Sequence, residues 1–84
     1  MKTLALQKIN EKKKLVLSEI KHKAILMNKG KCTFETFCKT MEEHKHEFEG
    51  YVRAFCDVEI LTVEECENII SEFKHALVNL KAEI

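Results

Sequence analysis

Cysteines and histidines are the residues of this sequence with the greatest potential for chemistry. The four cysteines are Cys32, Cys38, Cys56 and Cys66, and no two of them form the Cys-x-x-Cys pair of zinc ribbons and thiol redox motifs. We therefore expect reduced thiols that pack as small hydrophobic groups. A Cys56–Cys66 bridge between neighbouring helices is the geometric alternative.

The spacing of the histidines gives little indication of a metal site. They are His22, His44, His46 and His75, and no His-x-x-x-His pair occurs among them. Ser18 and Ser71 are the only serines, and neither has the Gly-x-Ser-x-Gly surroundings of a hydrolase nucleophile. The sequence therefore predicts no catalytic residue, no metal ligand and no cofactor.

Three helices are predicted to position these side chains, and the last has the clearest start. Thr62 and Glu65 form a capping box, in which a hydroxyl and a carboxylate each accept a backbone N–H at a helix N-terminus. Apolar residues then recur at alternating steps of three and four, as in a heptad seam. This seam consists of Val63, Cys66, Ile70, Phe73, Leu77, Leu80 and Ile84.

The middle segment shows the same spacing. Thr33 is its predicted N-cap. Its seam consists of Phe34, Phe37, Met41, His44, Phe48, Tyr51 and Phe55. Five of the six aromatic residues lie here, so we expect this helix at the centre of the core. Gly50 lies within it and is predicted to mark a kink or a close approach by another backbone.

The first segment has a broader apolar distribution. Its stripe consists of Leu6, Ile9, Val16, Ile20, Ala24 and Met27. A second set of apolar residues cannot all face the same core and comprises Leu4, Leu15, Leu17, Ile25 and Leu26. Since no acidic cap precedes the segment, we expect it to fray before Leu6.

These patterns predict a single helical domain over residues 1–84. The helices fall at 3–28, 33–56 and 62–84, and their similar lengths and short connections favour an all-α antiparallel three-helix bundle. Helical hairpins that complete the core by dimerisation are the alternative. The sequence contains no run of 18 apolar residues, so no segment of it is predicted to span a membrane. The N-terminus also lacks the apolar core of a secretory signal, so a cytoplasmic location is predicted.

A neutral net charge conceals a strong asymmetry. Residues 1–31 carry nine lysines against two acids, and residues 32–84 carry five basic residues against twelve acids. Antiparallel pairing would bring Lys13 opposite Glu47 and Lys12 towards Glu49. The two halves could therefore neutralise each other within the bundle, or the lysines could form a basic face for a partner.

The exposed apolar surplus and the charged faces predict a small non-enzymatic protein-interaction module, a regulator or inhibitor that docks a helix face on a larger protein. A homodimer is a further possibility. The alternative is a sequence-nonspecific nucleic-acid binder through the N-terminal lysines. The lysine-rich, arginine-poor composition would suit a phage or bacterial accessory gene. The predicted partner-binding residues are Lys8, Lys12, Lys13, Lys14, Leu15, Leu17, Glu43 and Glu47.

Overall fold

Three long helices account for most of the chain in the computed structural model, which describes residues 1–83. They are α1 (Lys2–Asn28), α2 (Phe34–Asp57) and α3 (Val63–Glu83). All three pairs of helices are in contact, and the elongated molecule measures 44 × 18 × 17 Å. The predicted antiparallel three-helix bundle is confirmed. Ile84, the last residue of the predicted third seam, lies outside the described residues.

A left-handed residue ends α1. Gly30 has φ +75°, a conformation that a residue without Cβ adopts at little cost. Its N–H donates to the carbonyl of Met27 at 3.0 Å, and the N–H of Lys31 donates to that of Leu26 at 2.9 Å. This is the Schellman pattern, which satisfies the last carbonyls of a helix. The predicted break at this position therefore has a clear local cause.

The end of α2 repeats the pattern without a glycine. Glu59 has φ +61°, and its N–H donates to the carbonyl of Cys56 at 2.9 Å. The N–H of Ile60 donates to the carbonyl of Phe55 at 3.0 Å. A residue with a Cβ is strained in this region, so this turn stores a small conformational cost.

Both predicted N-caps are present. The hydroxyl oxygen of Thr33 accepts the N–H of Thr36 at 3.1 Å at the start of α2. At the start of α3, the Thr62 hydroxyl accepts the N–H of Glu65 at 3.1 Å, and a Glu65 carboxylate oxygen accepts the N–H of Thr62 at 3.0 Å. The capping box is thus formed as the spacing predicts.

The centre of the core is aromatic. The rings of Phe48 and Phe73 stack with centroids 4.3 Å apart, and both side chains are fully buried. The numbers of facing residues in α2 and α3 sum to about 120, as expected of an antiparallel hairpin that turns near residue 60. Val16 and Ile20 of α1 are fully buried as well, so the first helix completes the core.

The predicted stripes are wrong at their ends. Val63 is 66% exposed and Phe34 is 69% exposed, because each is the first residue of its helix, at an end of the bundle. Leu61, just before α3, is buried instead. In α1 the buried residue before Ile9 is Ala5 and not Leu6.

The first turn of α1 is helical in the structure, whereas fraying was predicted before Leu6. The helix begins at Lys2, whose ammonium lies 2.6 Å from a carboxylate oxygen of Glu65 on α3. This ion pair and the burial of Ala5 hold the first turn against the N-terminus of α3.

Candidate interaction surface

The predicted partner-binding residues converge best in the groove between α1 and α2. Lys8, Lys12 and Leu15 lie at steps of four and three and so project from one side of α1. Together with Glu11 of α1 and Tyr51 of α2 they line a shallow, open depression. The ammonium of Lys12 lies 5.7 Å from the centre of the Tyr51 ring, within the range of a cation–π contact.

An ion pair closes one wall of this groove. The Lys12 ammonium lies 2.9 Å from a carboxylate oxygen of Glu47. This hydrogen bond raises the pKa of Lys12 and lowers the pKa of Glu47, and in both cases its effect exceeds the opposing effect of burial. Each group is therefore held in its charged form over a wider pH range than it would be alone.

The register of this pair differs from the prediction. Lys13 was expected opposite Glu47 and Lys12 near Glu49, but Lys12 makes the pair with Glu47. Glu49 lies instead 3.6 Å from the ammonium of Lys74 on α3. Successive helix residues are separated by about 100°, so Glu47 and Glu49 leave α2 in different directions.

The same geometry disperses the run of three lysines. Lys12, Lys13 and Lys14 fan across about 200° of α1. Lys13 is half-buried and lies one turn before Leu17, which lines a depression between α1 and α3, and Lys14 is exposed. The run is therefore not a single basic face.

The remaining predicted residue, Glu43, is exposed and lies one turn before Glu47 on α2. Four of the eight predicted residues thus come together around the α1–α2 groove. They are Lys8, Lys12, Leu15 and Glu47. Tyr51 also lines this groove, although the sequence predicted it to lie in the core. Its position in the apolar seam of α2 did not reveal that its side chain is only half-buried.

Most of the N-terminal lysines make no ion pair. Among residues 1–83, the nine lysines of the N-terminal part contribute only the Lys2–Glu65 and Lys12–Glu47 pairs. Hydrogen bonding to Lys2 and to the backbone of Thr62 lowers the pKa of Glu65. Internal neutralisation of the two halves is therefore partial, and α1 keeps a strong positive charge towards solvent.

Three apolar side chains of α1 are more than half exposed. They are Leu4 (55%), Leu15 (54%) and Ile25 (51%). Leu17 packs against the core, and Leu26 is half-buried. Leu4 and Leu15 are eleven residues apart, which is three helical turns, so they share one side of α1 about 16 Å apart. The predicted apolar surplus on this helix is present at these positions.

The histidine-bearing side of α1 forms a second depression, lined by Ser18, Glu19, His22, Lys23 and His44. Nδ1 of His44 lies 3.4 Å from a carboxylate oxygen of Glu19 but has no hydrogen-bond partner. Within residues 1–83 no hydrogen bond joins the Ser18 hydroxyl to either imidazole, and no three His, Cys, Asp or Glu side chains are arranged to hold a metal ion.

Comparisons with known proteins do not extend these observations. No protein-family model matches the chain, and neither the curated proteins nor the solved structures contain a match to it. Within residues 1–83, no helix combines the length and the apolar character needed to cross a lipid bilayer.

Proposed function

We propose that this protein is a non-enzymatic interaction module that docks α1 and the adjoining α1–α2 groove on a larger protein. The observation that carries the proposal is the pair of exposed leucines, Leu4 and Leu15, on one side of α1. The core is closed without them, since Ala5, Ile9 and Val16 provide the buried face of the same stretch. A helix that presents aligned apolar side chains to water is a typical element of helix-in-groove recognition.

The charge of α1 indicates the chemistry of the partner. Lys8 and Glu11 both lie between the two leucines and make no ion pair among the described residues, and Lys14 is exposed on an adjacent side. A complementary surface has an apolar centre for the leucines and carboxylates around it. Such an arrangement speeds association and aligns the helix, while buried leucine surface provides most of the affinity.

A protein partner is favoured over nucleic acid by the same side chains. Leucines gain nothing from phosphate, and the lysine run is dispersed around the helix instead of following one line. The single arginine, Arg53 on α2, pairs with Glu67 on α3, with a guanidinium nitrogen 3.1 Å from a carboxylate oxygen. Recognition of base edges relies mainly on arginine, so this chain offers few side chains for it.

The test uses the partner captured from the native host and then purified, so that binding is measured between two known components. Leu15→Glu and Leu4→Glu place a charge at exposed positions, so the fold should survive, as circular dichroism will show. We expect each to weaken binding at least tenfold. Val78→Glu on α3, at a position that is 63% exposed, is the matched control and should bind as the wild type does.

Three results would overturn the proposal. One is full binding by both leucine variants. Another is a concentration-dependent dimer in sedimentation that Leu15→Glu abolishes, since the occupant of the surface would then be a second copy of the chain. The third is retention of a random DNA or RNA duplex whose affinity falls steeply with salt, which would favour the nucleic-acid function.

A further inference from the structure

Cys56 and Cys66 lie on either side of the connection at which α2 turns into α3. Cys66 lies in the first turns of α3 with 1% of its surface exposed, and its thiol donates to the carbonyl of Val52 at 3.7 Å. That carbonyl is the helical partner of the Cys56 N–H, because α-helical hydrogen bonds join residues four apart. The Cys66 sulfur therefore lies beside the last turns of α2, within one helical turn of Cys56.

The turn between the helices keeps these side chains together. Only 58–62 separate α2 from α3, and the Schellman bonds at Glu59 and Ile60 and the capping box at Thr62 order the backbone on both sides. Leu61 is buried beneath the turn. With the Cys66 sulfur held this close to the backbone of the last turns of α2, rotation of the two side chains is the main movement needed to reach bonding distance.

The two cysteines differ in accessibility. Cys56 is half-buried in the last turn of α2, whereas Cys66 is shielded from solvent. Burial, followed by the interaction with the Cys56 thiol, raises the pKa of the Cys66 thiol. Because Cys66 is shielded from solvent, an external reagent reaches Cys56 first, and Cys66 reacts only with a neighbour inside the protein.

We propose that Cys56 and Cys66 form a redox modification site, at which a low-molecular-weight disulfide such as oxidised glutathione converts the two thiols into a disulfide that links α2 to α3. The Cys56 thiolate attacks one sulfur of the reagent, and the first reagent thiolate leaves and takes up the proton of Cys56. The Cys66 thiolate then attacks the Cys56 sulfur and expels the second reagent thiolate, which takes up the proton of Cys66. Two protein thiols lose two electrons and the reagent becomes two thiols.

The other two cysteines provide a matched background. Cys32 and Cys38 are half-buried near the connection between α1 and α2, at the opposite end of the bundle. A Cys32→Ser/Cys38→Ser double variant therefore keeps the proposed site and removes competing thiols. Adding Cys56→Ser to it breaks the pair at its accessible member, where a serine is readily hydrated.

The experiment exposes the double variant to oxidised glutathione under native conditions. We expect an intact mass lower by two hydrogens, a peptide map with Cys56 joined to Cys66, and a Tm raised by about 5 °C or more, since the link constrains the unfolded chain. The triple variant should show none of these changes. A persistent glutathione adduct without the link, a disulfide between two chains, or a lower Tm in the linked form would overturn the proposal.

Discussion

The ammonium of Lys12 and a carboxylate oxygen of Glu47 lie 2.9 Å apart and join α1 to α2 beside the exposed Leu15. This pair shows that the basic N-terminal part and the acidic remainder of the chain meet within the molecule at defined points. It also orients the α1–α2 groove, because the same ammonium lies over the ring of Tyr51.

The Lys12–Glu47 pair makes the stability of the fold depend on pH in the acid range. The folded-state pKa of Glu47 is lowered from its ordinary value of 4.5, so its contribution is present above that value and is lost as pH falls through the folded pKa. We expect Glu47→Gln to lower the free energy of unfolding by about 0–1 kcal/mol at pH 7, since the carboxylate is half-exposed. Urea denaturation at pH 7 and near pH 3 measures this difference, which should become smaller at the lower pH.

Glu43→Gln is the control for this prediction, because Glu43 is exposed one turn away and makes no ion pair among the described residues. The raised pKa of Lys12 predicts the complementary behaviour, in which the contribution of the pair is lost as pH rises through a value above 10.5. An equal loss of stability in Glu47→Gln at both acid and neutral pH would show that the ion pair is not the cause.

Phenylalanine positions on α2 should differ sharply in their effect on stability. Phe48→Ala removes a fully buried ring stacked on Phe73, and we expect a loss of about 3–5 kcal/mol in the free energy of unfolding. The milder Phe48→Leu keeps the measurement accessible if the alanine variant does not fold. Phe34→Ala, at a position that is 69% exposed, should change stability by less than about 0.5 kcal/mol. Similar losses in both alanine variants would contradict the assigned core.

The two glycines should respond in opposite directions to alanine. Gly50 lies inside α2, and a Cβ built there meets nothing within 4 Å, so the predicted close approach of another backbone is wrong. Gly50→Ala should therefore raise the free energy of unfolding by about 0.5–1 kcal/mol, as helix propensity dictates. Gly30→Ala should lower it by about 1 kcal/mol, because Gly30 is left-handed. Thermal denaturation compares the two, and a stabilising Gly30→Ala would refute the assigned turn.

Glycine at position 59 should relieve strain at the end of α2. Glu59 adopts φ +61° with a Cβ, and Glu59→Gly is expected to raise the free energy of unfolding by about 0.5–1 kcal/mol. The same exchange at the exposed Glu72, inside α3, should cost about 1 kcal/mol because glycine disfavours helix interiors. If both substitutions destabilise the protein equally, residue 59 is not held in the left-handed conformation.

Much of the fold follows from signals that act over a few residues. Thr62 and Glu65 satisfy each other's backbone groups across three residues, and Gly30 ends α1 through bonds to the preceding turn, so these boundaries are encoded locally. The register between α2 and α3 follows from helix length and a short connection, which bring Phe48 to Phe73. These features are insensitive to the rest of the molecule and could be predicted from the sequence.

Capping groups and apolar spacing act through near neighbours, so the three helices, their ends and their antiparallel order could be predicted. The pairing of Glu47 with Lys12 instead of Lys13, and the exposure of Val63 and Phe34 at ends of the bundle, depend on how the helices pack together. The rotation of each helix about its own axis depends on how the side chains of all three helices pack in the core, and one residue of error turns a side chain by about 100°. Apolar spacing likewise continues past the last packed layer, so it cannot show where the core ends.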